Sequence, residues 1–395
     1  MFIQIHTLTS YPASLLNRDD AGFAKSISFG GVNRTRVSSQ CLKKHWREAT
    51  GPAGLADLGN GSLRSRVIFK DRVAKPLIDQ GLDVTAVLMA TAKLAGMATD
   101  KKGTKAINAS AKADSDEKRM ELLRLDQVMV FGEAEAKYFR GVVSDAVSAA
   151  SEASSIKEIK SAINDAMKPK SVKYPMKAAA SAMGLDAALF GRMVTSDVAS
   201  QGHAAVHVAH AITTHAGQNE SDYLTAVDTL DPDTGAGTLQ SIQLTTGVFY
   251  NYLAIDVPLL VSNLEGVAAE DWQTADPTLA KDIIARMIRS AAMTSPGAKL
   301  GSTAPYAFSN TVLTEVGNTQ PCQLVNAFLK PVSLNSDDIG EESCARLVKE
   351  AATMERMYEM GNERRFASVY AAQNATGEVY KSVAKLAKDT AEAIA

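Results

Sequence analysis

Residues 242–257 read Ile-Gln-Leu-Thr-Thr-Gly-Val-Phe-Tyr-Asn-Tyr-Leu-Ala-Ile-Asp-Val. Their apolar and polar residues alternate with period two, and a run of this length predicts a long β-strand. One long strand cannot bury itself. It needs strands on both sides and a layer of helix on the sheet. The rest of the chain supplies candidates. Residues 2–9 (FIQIHTLT) place Ile3, Ile5, Thr7 and Thr9 on one face of a strand. Residues 32–37 (VNRTRV) form another, with Arg34 and Arg36 on one side because strand side chains alternate. Residues 188–196, 204–214 and 305–315 carry the same signal. Ser38 or Ser39 is a good N-cap for a helix over 40–49, and residues 278–294 have amphipathic helical spacing. The order strand–helix–strand–strand–helix–strand predicts a ferredoxin-like α+β core.

Two segments interrupt that core. Residues 63–186 are alanine-rich with apolar residues at helical spacing, as in Leu122, Leu125 and Met129, and read as a helical insertion. Within it, residues 99–117 (TDKKGTKAINASAKADSDE) are polar and simple and predict a mobile loop. Residues 215–246 are polar around the turn DPDTGAG and predict a projecting hairpin. The core pieces are then 1–62, 187–214 and 247–335, and residues 336–395 read as C-terminal helices.

Of the 395 residues 46% are hydrophobic and 22% charged, which places the chain among ordinary globular proteins. No apolar run reaches ~18 residues, so no membrane span is expected. The N-terminus lacks the basic start and apolar centre of a signal peptide. Cys41, Cys322 and Cys344 lie far apart without a CxxC, against a disulfide framework or a cysteine metal site. A cytoplasmic location is the expectation.

The formal net charge of −2 hides an asymmetry. Residues 1–48 hold Arg18, Lys25, Arg34, Arg36, Lys43, Lys44 and Arg47 against Asp19, Asp20 and Glu48, seven cations to three acids. Such a local excess points to an anionic partner at one surface. On a helix, Gln40, Lys43, Lys44 and Arg47 share one face, while Leu42, Trp46 and Ala49 form a packing stripe. Ser38, Ser39 and Gln40 stand at its start, where free N–H groups and the positive dipole end favour phosphate. Two readings stand, a solvated charged face or a phosphate site, and cations without interleaved acids favour the second. A further basic stretch, Arg64, Arg66, Lys70, Arg72 and Lys75, reads as a solvated face that could extend a groove.

His203, His207, His210 and His215 offer a competing chemistry. On a helix the i, i+4 pair could bind zinc, and with Asp19-Asp20 they would suggest a metal-dependent RNA-processing enzyme. The segment is rich in β-branched residues, however, and as a strand it puts His210 opposite His203 and His207. Asp19-Asp20 sit beside Arg18 and read as orienting it. There is no GxGxxG, GKS/GKT or GxSxG in context. Met193 reads by default as core filler. Tyr223, Leu224, Thr225 and Leu239 are apolar residues on a polar hairpin, a pattern that means a partner.

Asn17-Arg18-Asp19-Asp20, Phe29-Gly30-Gly31, Arg36-Val37-Ser38-Ser39-Gln40 and Leu42-Lys43 resemble the N-terminal signature of the CasC family. Gly191-Arg192-Met193, Ala209-His210-Ala211-Ile212-Thr213-Thr214-His215, Thr225-Ala226-Val227-Asp228, Gly247-Val248-Phe249-Tyr250, Pro296-Gly297-Ala298-Lys299 and Asn326-Ala327-Phe328 resemble its second half. That family comprises the crRNA-binding backbone subunits of Cascade, the type I-E CRISPR surveillance complex. The resemblance implies an RRM-like palm, an inserted helical fingers domain and a hairpin thumb. It implies stacking of several copies along one guide RNA, with bases displaced at intervals and the rest free to pair with target DNA. It implies the partners CasA, CasB, CasD and CasE, no catalytic residue and no cofactor. The expected RNA contacts are Arg18, Lys25, Arg36, Ser38, Ser39, Gln40, Lys43, Lys44, Arg47, Arg64, Arg192 and Met193, with a thumb wedge of Tyr223, Leu224, Thr225 and Leu239. Tyr223-Leu224 stand where a relative has Trp-Phe, so the wedge uses different side chains.

Overall fold

The computed structural model describes residues 1–58, 63–99, 103–168, 184–191, 203–227, 236–370 and 377–394. In chain order the strands are β1 (Phe2–Ser14), β2 (Ser26–Phe29), β3 (Val32–Val37), β4 (Leu63–Ser65), β5 (Met129–Phe131), β6 (Val206–Val208), β7 (Ala211–Thr213), β8 (Gln218–Val227), β9 (Ala236–Asp256), β10 (Thr311–Gly317), β11 (Glu363–Ser368) and β12 (Glu378–Val379). Contacts divide the chain into a first unit, 1–57, 206–257 and 277–395, and a second, 58–205 and 258–276.

In the first unit β9 is the axis. Its outer part pairs with β8 as a hairpin, from Gln218↔Thr246 to Val227↔Ala236. Its inner part pairs with β1 on one side, Leu8↔Tyr250 being in register, and with β6 and β7 on the other. The full order is β12-β11-β10-β1-β9-β7-β3-β2, antiparallel except for β11 and β12. One face carries Thr7, Thr9, Tyr11, Phe249 and Asn251 towards α1 (Ser39–Glu48) and helix Thr278–Met293. Trp46 of α1 is 1% exposed there, and truncating a tryptophan so enclosed costs about 3–5 kcal/mol. The opposite face, with Leu8, Tyr250, Tyr252, Ala254 and Leu313, lies under Leu324, Phe328 and Val332 and under Cys344, Leu347, Val348 and Ala351 of helix Ile339–Tyr358. Both faces are therefore covered.

The second unit is built around helix Val84–Ala98, buried from Ala86 to Ala98. Asp83 caps it by accepting a 2.7 Å bond from the Ala86 amide. Ile107, Phe139, Val143 and Ile163 pack around it. Lys93 is buried as well, and its amine donates to the carbonyls of Ile163 (3.3 Å) and Asn164 (3.2 Å) and to Asn164 Oδ1 (2.8 Å), at the end of helix Ile156–Ala166.

Several elements depart from the sequence reading. Within 99–117, residues Gly103–Lys112 and Asp116–Glu121 are helices. Their polar text conceals one buried side, Ile107, and a glycine that permits close approach: a Cβ on Gly103 would stand 2.9 Å from the Lys93 carbonyl. The expected strand 188–196 begins instead as helix Leu185–Phe190, ended by Gly191 at φ +75°; a short apolar run does not distinguish the two. The strand 204–214 is split into β6 and β7, and 305–315 becomes strand only from Thr311. The C-terminal stretch is not all helical. ERRFAS forms β11, hidden from the hydrophobic pattern because its Arg364 is an inward-facing charge only 7% exposed. β2 was missed altogether. It meets β3 through a two-residue turn, Gly30-Gly31, at φ +62° and +79°, the left-handed pair that a tight hairpin requires.

Candidate nucleic-acid interface

The helix predicted over 40–49 forms as α1, with Ser38 as its N-cap: Ser38 Oγ accepts from the Cys41 amide at 3.3 Å. Leu42 and Trp46 are buried, and Gln40 and Lys44 are exposed. Lys43 and Arg47 are half-buried on the neighbouring face. Lys44 reaches Glu48 at 3.6 Å, an exposed i, i+4 pair of small energetic weight.

Asn17 joins this helix to the loop before it. Its Oδ1 accepts from the Ser38 amide at 2.9 Å and its carbonyl from the Lys25 amide at 3.0 Å. Lys25 then lies opposite Arg36, whose amide donates to the Lys25 carbonyl at 2.8 Å, extending the β2–β3 ladder by one pair. Like charges directly opposite in a ladder repel. Arg36 is fixed by bonds from Nε to the Ser26 carbonyl (3.2 Å) and from Nη1 to His210 Nδ1 (3.0 Å). Because arginine can only donate, His210 Nδ1 is the acceptor and carries no proton. Burial pulls the His210 pKa down, and Arg36 and Lys25 pull it further. Burial pushes the Cys41 thiol up, opposed by Lys44 and Lys25. Lys25 and Arg36 thus both act on His210, and Lys25 and Lys44 both act on Cys41.

Arg18 is exposed and lines an open groove of 610 Å³ with Asp19, Asp20, Ser241, Ile242 and Lys299. Asp19 does not orient Arg18 as read from the sequence. Its Oδ1 closes the loop, accepting from the amides of Ala21 (3.0 Å) and Phe23 (2.9 Å). Arg34 also departs from the sequence reading. It is fully buried, donating to the carbonyls of Phe29 (3.2 Å), Thr213 (3.0 Å) and Phe328 (2.8 Å). The β3 strand thus turns one arginine into a structural brace and leaves the other at the surface.

Arg64 belongs to the second unit, with Nε 3.7 Å from Asp186. Arg192 and Met193 lie outside the described residues. Tyr223 is 66% exposed on β8. In backbone register Leu224 faces Gln240 and Thr225 faces Leu239, so the four expected wedge positions share one stretch of the hairpin. Sequence reasoning missed Asn17 as a tether and Arg34 as a brace. An Asn beside a chain reversal was the available signal for the first; a lone Arg among β-branched residues gave none.

The histidines do not assemble a metal site. His215 is 1% exposed and neutral, its Nδ1 donating to the Ala216 carbonyl (2.7 Å) and its Nε2 accepting from the Val248 amide (3.1 Å). His210 is engaged by Arg36, while His203 and His207 are exposed. Among the described residues no group of three or more His, Cys, Asp or Glu could hold a metal ion. Cys41 Sγ lies 3.7 Å from His45 Nδ1, but that nitrogen donates to the Cys41 carbonyl at 2.8 Å and Nε2 accepts from the Gly297 amide at 3.3 Å. The ring is structural and does not activate the thiol. Among the described residues no helix is long and apolar enough to cross a membrane.

A family model described as CT1975-like protein matches residues 3–393. The chain belongs to the CT1975-like protein family. Solved structures agree in fold over its whole length. A chain of a "CRISPR RNA-guided surveillance complex, pre-nicking" is similar at 25% identity and TM-score 0.78, with 100% of both chains covered. A chain of a "CRISPR RNA-guided surveillance complex" is similar at 23% identity and TM-score 0.69, again with 100% of both covered. No curated protein matches. The family and these neighbours bear out the CRISPR resemblance read from the sequence, and the mixed sheet with many helices bears out the α+β class.

Proposed function

We propose that this CT1975-like protein is the crRNA-binding backbone subunit of a type I-E Cascade complex. In this reading several copies stack along one guide RNA, displace bases at intervals, and present the others for pairing with target DNA beside CasA, CasB, CasD and CasE. The chain serves as a scaffold in the cytoplasm and performs no catalysis. The first unit is the palm, and the ferredoxin-like order β10-β1-β9-β7 with α1 and helix Thr278–Met293 on one face supports that assignment. The helices of the second unit are the fingers and the β8–β9 hairpin is the thumb. Tyr223, Leu224, Thr225 and Leu239 wedge the displaced base, with Met193.

The observation that carries the reading is Lys25 facing Arg36 across one ladder, with His210 unprotonated beside them. A self-repelling arrangement of this kind is stabilised by an anion. Sugar-phosphate contacts by Arg18, Lys25, Arg36, Ser38, Ser39, Gln40, Lys43, Lys44, Arg47, Arg64 and Arg192 position RNA without reading its sequence, which a variable guide requires. The metal-dependent processing alternative has no support from the geometry of the histidines.

The test is purification of the full chain and analysis of co-purifying nucleic acid. RNA of defined length is expected. Lys43→Ala should weaken binding equally for all sequences and reduce the salt slope by about one. A protein indifferent to RNA at low salt refutes the reading, and a sequence-selective loss in Lys43→Ala refutes phosphate recognition.

A further inference from the structure

The loop that follows helix Thr278–Met293 holds two aromatic side chains in water. Tyr306 is 75% exposed and Phe308 67%. Their backbone is not loose. The Ala307 amide donates to Ser295 Oγ at 3.0 Å, and that hydroxyl donates to the Ala307 carbonyl at 2.9 Å. The Ser309 amide donates to the Ala292 carbonyl (2.7 Å) and the Asn310 amide to the Leu8 carbonyl (2.8 Å). Pro305 is buried, and Ala304 is held at φ +39°, a left-handed backbone that favours glycine and persists in a non-glycine residue only where its surroundings fix it. The segment is anchored on both sides of each ring, with the rings turned outward.

Its position joins it to the cationic surface. Gly297 donates its amide to His45 of α1, next to Lys44, and Ala298 donates to the Leu15 carbonyl at 2.8 Å. Pro305 packs on Gly297 so closely that a Cβ there would stand 2.8 Å from Pro305 Cγ. The path from α1 to the first ring is thus His45, Gly297, Pro305, Tyr306, all in direct contact or bonded. Lys299, in the same loop, lines the groove with Arg18. Tyr306 and Phe308 flank Ala307, whose amide and carbonyl both meet Ser295 Oγ, and so stand two residues apart along the chain. Residues i and i+2 of an extended chain lie about 6.6 Å apart, roughly twice the ~3.4 Å rise between stacked bases. One planar base fits between two such side chains.

We infer that Tyr306 and Phe308 form a nucleobase-stacking clamp, taking one unpaired base of a single strand whose phosphates lie on the α1 surface. This rests on the RNA-binding reading above and adds to it a contact that depends on bases and not on charge. An aromatic or apolar side chain of a protein partner would also suit two exposed rings. The cations of α1 beside His45 favour the strand; in the groove itself Arg18 and Lys299 stand with Asp19 and Asp20.

The test compares binding of the full chain to a short oligouridine and to an abasic RNA of equal length at fixed salt, for wild type, Y306A/F308A and Y306W/F308W. The wild type should prefer the base-bearing strand. Losing one stacked base weakens binding by about 5- to 150-fold, so Y306A/F308A should lose that much of the preference with an unchanged salt slope, while Y306W/F308W keeps it. Both rings are exposed, so the variants should match wild type in thermal unfolding. A wild-type preference in Y306A/F308A overturns the clamp. So does an unchanged preference with a loss of self-association, which would assign the rings to a protein contact. If wild type binds neither strand, the RNA-binding reading itself fails; if it binds both equally, with a phosphate-type salt slope, only the clamp fails.

Discussion

Two regions of the first unit treat charge in opposite ways. Inside the sheet, polar groups answer one another. His6 bonds Tyr250 Oη at 2.9 Å and Glu315 at 3.2 Å, Glu315 bonds Arg364 at 2.6 Å, and Arg364 reaches Glu355 at 3.1 Å. Tyr252 donates to Gln4 Oε1 at 2.8 Å, which also accepts from the Cys322 amide at 2.7 Å. At the β2–β3 edge, cations face cations. The buried charges of the first region are paired within the fold, whereas the second, on the function proposed above, is completed by an anion. Removing a charge should therefore unfold one region and relieve the other.

The largest effect is expected from Arg364→Leu. It leaves the fully buried Glu315 with His6 but without its arginine partner, a loss of about 3–5 kcal/mol, read as a lower urea midpoint. RNA affinity per folded molecule should stay at the wild-type value. A variant of wild-type stability would remove the interior half of the comparison.

The same network sets a pH dependence. Burial alone would raise the Glu315 pKa, but the bond and charge of His6 and the charge of Arg364 outweigh it and hold the carboxyl below its ordinary value. A depressed acid contributes stability above its unfolded value of 4.5, and that stability is lost as pH falls through the folded value. Urea midpoints should fall steeply below about pH 4.5 in wild type and less steeply in Glu315→Gln.

Lys25→Ala sharpens the other half. It removes one of two facing cations, so stability should stay within about 0.5 kcal/mol of wild type or rise. RNA affinity should fall by several-fold, with the salt slope reduced by about one. A destabilised Lys25→Ala that binds RNA normally would reverse the assignment of this edge.

The contrast also explains what was legible in the sequence. The strands that pair on both sides of β9, the cap at Ser38 and the face of α1 were readable because alternation, capping chemistry and helical spacing are local. Arg34 and Arg36 were not separable, since alternation gives them one side of β3 and only the distant Phe328 and Thr213 carbonyls decide that Arg34 is enclosed. β11 was unreadable for the same reason. Its Arg364 looks like surface until Glu315, 49 residues earlier in the chain, is placed beside it. The ring pair at Tyr306 and Phe308 was unreadable because exposure of an aromatic is a property of the folded loop.

The smallest effect concerns a third kind of cation, Lys93 of the second unit. It is enclosed like Arg364, yet its partners are the neutral oxygens at the end of a helix. Helix carbonyls and their dipole favour the charged amine, but desolvation prevails and takes its pKa down to about 8, with Asp165 opposing. A base whose folded value lies below the unfolded 10.5 binds fewer protons in the fold than in the unfolded chain. Its contribution to stability therefore rises with pH from about 8 to 10.5. The thermal midpoint of wild type minus that of Lys93→Met should accordingly grow between pH 7 and pH 10. A difference that stays flat would mean that the carbonyl cage compensates the charge in full.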